Sequence, residues 1–194
     1  QTLRATPLTT RGNVSFFGCL GYELDLKHLV AIEVQEIKEQ IALYKKYRSV
    51  FQFGTFSRLK NGWQVQKGGT AIAGVFRELG TAAPAYEQLR MCDLNPKKRY
   101  HFQNRQQELR IGQFGSLVKH VAPVNLDPNG VVLRTADRHM TMHDGVQELT
   151  ASGAALMSGV TLQPLFRGTG YHERQRTLLD FGSELWIAQE VCDE

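Results

Sequence analysis

Apolar residues recur along this chain with two different periods. Val30, Val34, Ile37, Ile41, Tyr44 and Phe51 keep spacings of three, four or seven, which places them on one face of an α-helix. Glu33, Glu36, Lys38, Glu39, Lys45 and Lys46 fill the other face, acidic early and basic late, as the helix dipole favours. Asp25 stands ahead of this helix as an N-cap, and Gly54 lies just past its end as a stop. Further upstream, Pro7 suits a first helical turn, and residues 9–17 predict a short helix that Gly12 weakens by about 1 kcal/mol relative to alanine. Residues 18–24 read as a strand. The first part of the chain is therefore expected to be helix, strand, helix, and a lone strand needs sheet partners from elsewhere.

After Gly54 the period becomes two. Residues 56–59 and 63–67 read as strands joined around Asn61-Gly62, a strong hairpin signal. Gly68-Gly69 turns the chain into a strand over 70–79. Residues 86–91 alternate, Asp93-Leu94-Asn95-Pro96 is a turn, and 99–103 is the next strand. Residues 111–121 fit a helix or a loop. Asp127-Pro128-Asn129-Gly130 is a turn by residue chemistry, with a strand expected at 131–133. Residues 178–181 and 184–190 are expected to close the sheet. Antiparallel strands with turns at roughly ten-residue intervals suggest a β-sandwich. The chain shows no internal repeat and no low-complexity tract.

Composition narrows the classes of partner. A length of 194 residues with 42% hydrophobic content suffices for one ordinary core, or for a small domain plus a piece of another. The net charge of +4 comes from scattered residues, and the densest clusters, Lys45-Lys46 and Lys97-Lys98-Arg99, are short. Nucleic-acid binding needs a concentrated basic stripe, so no such partner is expected. No run approaches the roughly 18 apolar residues of a membrane span, so no membrane partner is expected either. Cys19, Cys92 and Cys192 are odd in number and far apart, which argues against a disulfide framework or a zinc knuckle and fits reduced thiols in a cytoplasmic protein. The first residues carry no secretory signal, and a chain that begins at Gln1 rather than Met reads as a piece of something longer.

Candidate chemistry is sparse. His139 and His143 are four apart, a zinc-binding spacing on a helix, but Met140 stands where a metalloprotease motif places its glutamate. On a strand the two would lie about 13 Å apart, too far for one ion; ordinary surface histidines are the simpler reading. Gly68-Gly69 and Gly168-Thr169-Gly170 do not sit between a strand and a helix as a phosphate loop does, and read as turns. No G-x-S-x-G is present. Trp63, Tyr86, Tyr100, Phe102 and Tyr171 could line a sugar-binding face, although large aromatics serve cores and interfaces more often. Glu23 and Asp25 form the one acidic pair near the helices, and capping and strand-end roles account for them.

One stretch carries a resemblance. T-P-L-x-T-R-G-x-V-x-F-F-G-x-L-G-Y-E-L-D-L over residues 6–26, E-x-K-x-Q-I-x-x-Y-K-x-Y-R over 36–48 and Q-F-G-x-F-x-R-L over 52–59 resemble the end of the catalytic barrel of glycoside hydrolase family 36, the bacterial α-galactosidases. The resemblance weakens between about 104 and 143, where an insertion is suspected, and returns at Asp144-Gly145 and at SGAALMSGV, residues 152–160. It implies an α+β fragment: residues 1–53 as the last helix–strand–helix of a (β/α)8 barrel, and residues 54–194 as a C-terminal antiparallel β-sandwich. It also implies a retaining hydrolysis of terminal α-linked galactose from melibiose- and raffinose-type oligosaccharides, with no metal or organic cofactor, in a cytoplasmic homo-oligomer, commonly a homotetramer in the family. Such a mechanism uses two carboxylates roughly 5 Å apart. The family carries them in segments resembling K-W-D-x-N-R and S-D-x-T-D-A. Neither segment occurs here, so no catalytic residue is expected in this chain; both aspartates would lie upstream of Gln1, and residues 1–6 would border the pocket. Distinguishing α-galactosidase from α-N-acetylgalactosaminidase or a transferase also depends on upstream residues. The alternative class is a non-catalytic carbohydrate-binding or scaffolding module.

Overall fold

The computed structural model describes residues 6–81, 85–120, 127, 130–167, 172 and 174–191. Helix α1 (Leu8–Phe16) is followed by a 3-10 turn (Leu26–His28) and the long helix α2 (Ala31–Phe53). Strands β1 (Thr55–Leu59), β2 (Gly62–Lys67), β3 (Thr70–Phe76), β4 (Gln88–Leu89), β5 (Arg99–Asn104) and β6 (Glu108–Arg110) come next. A 3-10 segment (Ile111–His120), bent at Gly115, leads on to α3 (Val131–Ala136), β7 (Thr141–His143), β8 (Glu148–Ser152), α4 (Gly153–Ser158), β9 (Val160–Thr161) and β10 (Ser183–Glu190).

The architecture is α+β around a six-stranded sheet in the order β1-β2-β3-β10-β5-β8, antiparallel throughout. The last strand is thus central, flanked by β3 and β5. Alternation gives each face of the sheet its own core. On one face Val65, Ile72, Leu185 and Ile187 meet Phe16 of α1 and Tyr44, Tyr47, Val50 and Phe51 of α2. On the other, Ala71, Ala73, Tyr100, Phe102, Trp186 and Ala188 meet Leu89, Met91, Leu156 and Leu162, in a thin layer holding α4 and the β4–β9 pair. A third cluster, Leu109, Ile111, Phe114, Val118 and Leu133, sits under the β6–β7 pair and α3.

Two glycines mark close approaches. A Cβ on Gly12 would stand 2.2 Å from Gln40 Oε1, so the residue that weakens α1 as a helix is what lets it cross α2. A Cβ on Gly62 would stand 1.8 Å from the Gly74 carbonyl oxygen. Gly62 is accordingly a ladder residue opposite Leu59, and the hairpin loop is Lys60-Asn61 rather than Asn61-Gly62. Gly68-Gly69 forms the two-residue turn expected, with Gly68 at φ 58.

Several sequence expectations need correction. Residues 18–24 make no ladder with any strand among the described residues. Asp25 caps the 3-10 turn, its carboxylate accepting from Lys27 N–H at 3.0 Å, and α2 itself starts at Ala31, capped by Glu33 reaching back to Val30 N–H. The buried face of α2 is Gln40, Tyr44, Tyr47, Val50 and Phe51, whereas Val34 is exposed and Ile37 and Ile41 are only half-buried. The strand expected at 70–79 ends at Phe76, and only Gln88–Leu89 of 86–91 pairs. Residues 131–133 are the start of α3, not a strand: Leu133 is buried in the third cluster at helical spacing, and that overrides the β propensity of Val131 and Val132. Residues 178–181 are not a strand either. Phe181 takes φ 54, and Gly182 N–H bonds back to the Leu179 carbonyl, which closes a tight turn before β10.

Candidate functional site

Beside the helices lies a cleft of about 1020 Å³. One wall is the start of α1 (Thr6, Leu8, Thr9) and the first turns of α2 (Ile32, Glu33, Glu36, Glu39); the other is Arg105, β6 with the 3-10 segment after it, and α3. Buried Asn13 and Thr10 of α1 bond Ser183, the first residue of β10, which fixes α1 against the sheet.

Two charged groupings line the cleft. Arg110 donates to Glu33 Oε1 at 3.0 Å and to Asp137 Oδ2, while Asp137 Oδ1 also accepts from Gly112 N–H at 2.7 Å. This clasp ties β6 and the end of α3 to the first turn of α2. Glu36 Oε1 accepts from the Thr9 hydroxyl at 2.5 Å and from Gln40 Nε2 at 3.0 Å, and Gln40 Oε1 accepts from the Tyr22 hydroxyl at 2.6 Å. Burial pushes the Glu36 carboxyl above the usual range, against the Thr9 hydrogen bond and the Arg105 charge, which pull it down. Burial also raises the Tyr22 phenol and lowers the Arg105 guanidinium, the latter opposed by Glu36, Glu39 and Tyr22. Glu33 and Asp137 share one guanidinium, so neither is set up as a nucleophile. The cleft can orient a polar ligand with both donors and acceptors.

A second polar cluster is structural. Arg176 and Glu184 are each 1% exposed. Arg176 reaches Glu184 at 2.6 Å, Glu87 at 2.8 Å and the Gln163 carbonyl at 2.8 Å, and the Trp186 indole N–H donates to Glu184 at 3.2 Å.

The residues singled out from sequence do not converge. Trp63 is half-buried among Phe17, Phe56 and Phe76 on the helix side of the sheet. Tyr100 and Phe102 are buried on the opposite side, where Phe102 stacks on Trp186 with centroids 5.1 Å apart. Tyr86 is exposed, and Tyr171 lies outside the described residues. His139 follows α3 in a turn and His143 ends β7, so they do not share a helix face. Among the described residues no group of three or more His, Cys, Asp or Glu could hold a metal ion. Glu23 is exposed, and Asp25 has His28 at 3.4 Å besides its cap. Cys19 and Cys92 are free thiols; Cys192, residues 1–5 and Gly168-Thr169-Gly170 lie outside the described residues. No helix among the described residues is long and apolar enough to cross a membrane. Sequence reasoning missed Arg105, Arg110 and Arg176, whose acidic partners are 27 to 89 positions away or across a turn and leave no local signature.

What fold and cleft define is an α+β unit on an antiparallel sheet, with a charged ligand-sized cleft between its helices and a segment inserted in the sheet. The melibiase family model matches residues 1–54. The chain is 37% identical to α-galactosidase Mel36A of Lactobacillus acidophilus over 108 residues, 52% of this chain and 15% of that protein. It is 34% identical to α-galactosidase AgaA of Geobacillus stearothermophilus over 112 residues, 53% of this chain and 15% of that protein. Among solved structures, the α-galactosidase of Lactobacillus brevis aligns with 98% of this chain at TM-score 0.64 and 26% identity, using 21% of its own length. The family 36 enzyme AgaA, solved in complex with raffinose, aligns over the same share at TM-score 0.65 and 26% identity, using 20% of its own length. The chain thus spans about 15% of the length of these curated relatives. The resemblance carried by residues 6–26, 36–48 and 52–59 is borne out: this chain is similar to a stretch of the family 36 α-galactosidases.

Proposed function

We propose that this chain is part of a retaining α-galactosidase that removes terminal α-linked galactose from melibiose- and raffinose-type oligosaccharides. Residues 1–53 are the closing end of its (β/α)8 barrel, and residues 54–194 are a C-terminal β-domain that covers barrel helices. The nucleophile and the acid/base belong to the rest of the barrel; this segment closes and supports it. The protein is a cytoplasmic homo-oligomer that uses no metal or organic cofactor.

One observation carries the reading. Leu20, Tyr22 and Leu24 are half-buried, while Gly21, Glu23 and Asp25 between them are exposed. That is the period of a strand, yet the stretch has no ladder partner among the described residues. Val34, Ile37 and Ile41 next to it leave an apolar stripe of α2 incompletely covered. A strand without a sheet and a helix with an uncovered stripe fit a barrel completed by other strands.

The test is to express the full-length protein containing these residues and follow p-nitrophenyl α-galactoside hydrolysis, with the anomer of the product read by NMR. Release of α-galactose is expected. A folded full-length protein without α-galactosidase activity, or one that releases β-galactose first, would overturn the reading.

A further inference from the structure

The cleft has a place in a barrel enzyme, and this inference rests on the α-galactosidase reading above. In a (β/α)8 barrel each strand runs through a loop into the N-terminus of the next helix, and the active site lies at the C-terminal ends of the strands. Helix N-termini therefore mark the catalytic end. The cleft is lined by Thr6, Leu8 and Thr9 at the start of α1 and by Ile32, Glu33 and Glu36 at the start of α2. It opens at the catalytic end on two successive helices. Its other wall is supplied by the chain between β5 and β8, which leaves the sheet after Asn104 and returns at Glu148. The Arg110 clasp to Glu33 and Asp137 holds that wall in place.

The volume and lining are those of a ligand site. About 1020 Å³ is at the upper end of the roughly 300–1,000 Å³ common for small-molecule pockets. Phe114 and Phe166 bring aromatic rings, and Arg105, Glu36 and Glu39 bring donors and acceptors. Arg105 is anchored by its backbone, whose N–H donates to the Leu185 carbonyl at 2.7 Å. Its Nη1 is buried with no acceptor among the described residues. A buried guanidinium N–H left unpaired is unfavourable, so such groups call for an explanation. A sugar hydroxyl reached by rotation of the side chain would supply the acceptor.

We propose that this cleft is the distal part of the substrate site and receives the sugar units that carry the terminal galactose. Arg105 contacts a hydroxyl of those units, and Arg110 is the positioning residue of the wall.

The experiment measures kcat and KM of the full-length protein on p-nitrophenyl α-galactoside, raffinose and stachyose, for the unaltered protein, Arg105→Gln, Arg105→Lys and Arg110→Gln. Thermal melts confirm folding, and Arg105→Lys carries the test if Arg105→Gln does not fold. Losing a hydrogen bond from a charged group corresponds to a factor of about ten to a hundred. Arg105→Gln is expected to lower kcat/KM for stachyose by that factor relative to p-nitrophenyl α-galactoside, chiefly through KM. Arg105→Lys, which keeps the charge and a donor, recovers part of the loss. Arg110→Gln moves the same ratio by a smaller factor. An active protein whose variants change all three substrates equally, or none of them, overturns this inference and leaves the parent reading standing. An unaltered protein with no activity on any of the three overturns the parent reading and this inference with it.

Discussion

Arg176→Met tests the polar cluster under β10. The arginine is 1% exposed and is spent on Glu184, Glu87 and the Gln163 carbonyl. Methionine fills much of the same space but leaves Glu184, also 1% exposed, with the Trp186 indole as its one remaining hydrogen-bond donor among the described residues. Burial already pushes the Glu184 carboxyl up against the pull of Arg176, so without the arginine it takes up a proton or stays as an unpaired charge. Glu87 is less affected, because it keeps Arg77 at 3.2 Å. Breaking a buried ion pair from one side destabilises by about 3–5 kcal/mol. For a chain of this size each kcal/mol is about 2–4 °C in Tm, so the expected drop is roughly 6–20 °C. Urea titration of the 194-residue chain by tryptophan fluorescence reads it directly, since Trp63 and Trp186 are its only tryptophans and Trp186 touches Glu184. Adding Glu184→Gln removes the stranded charge and should recover about 1–3 kcal/mol. A single variant within about 1 kcal/mol of the parent, or a double variant no better than the single, would refute the reasoning.

Asp144 is 2% exposed, and burial first, then the charge of Glu184, pushes its carboxyl up to about 7 against the Thr177 and Gly145 N–H bonds and Arg176. The folded value lies above the unfolded one, so the folded chain holds the proton longer and stability falls as pH rises from about 4 to about 7. Asp144→Asn keeps the Oδ1 acceptor and removes that slope: urea midpoints should show a gain of about 1–3 kcal/mol at pH 8 and none near pH 4, and a gain at both would contradict the assignment. Gly62→Ala drives a Cβ to 1.8 Å from the Gly74 carbonyl oxygen and should destabilise by about 3 kcal/mol or more, whereas Gly21→Ala, with nothing within 4 Å, should stay within about 0.5 kcal/mol; equal melting temperatures would refute the close approach. Purified alone, the 194 residues should release no galactose above a buffer blank. Amides of residues 20–24 should exchange fast in the isolated chain and slowly in the full-length protein, and equal protection in both would remove the barrel reading of that stretch.

What could be read from the sequence was local. The helix ending at Gly54, the β2–β3 turn at Gly68-Gly69 and the closing strand at Ser183–Glu190 follow from periodicity and turn chemistry within a few residues of each position. What could not be read is long-range. β10 enters the sheet between β3 and β5, pairing with residues more than 80 positions earlier, and no pattern in Ser183–Glu190 says so. Val131 and Val132 have β propensity, but Leu133 is pulled into a cluster with Ile111, Phe114 and Val118, and that tertiary contact decides for helix. Phe181 sits at φ 54, a turn that a search for glycine or asparagine passes over. The cleft depends on Arg105 and Arg110 meeting glutamates about seventy residues earlier, a pairing that charge counting does not reveal.

The stripe on α2 shows how a correct local reading can hide two partners. Val30, Val34, Ile37, Ile41, Tyr44 and Phe51 keep helical spacing and read as one face. In the structure only the last two point into the sheet, joined there by Tyr47 and Val50. Tyr47 and Val50 lie three and six residues beyond Tyr44, on the adjoining rows of the helix, so the buried surface is turned relative to the apolar stripe. Buried Gln40 marks the crossover: it bonds the Leu8 carbonyl, Glu36 and Tyr22, and so faces α1 and the unpaired stretch 18–24 rather than the sheet. A helix with one apolar surface toward its own sheet and a second toward an unpaired strand requires cover on both sides. Tyr44, Tyr47, Val50 and Phe51 make α2 part of the same core as Val65, Ile72, Leu185 and Ile187. Cutting the chain after residue 53 would open that core, so α2 and the sheet are expected to lose their packing together.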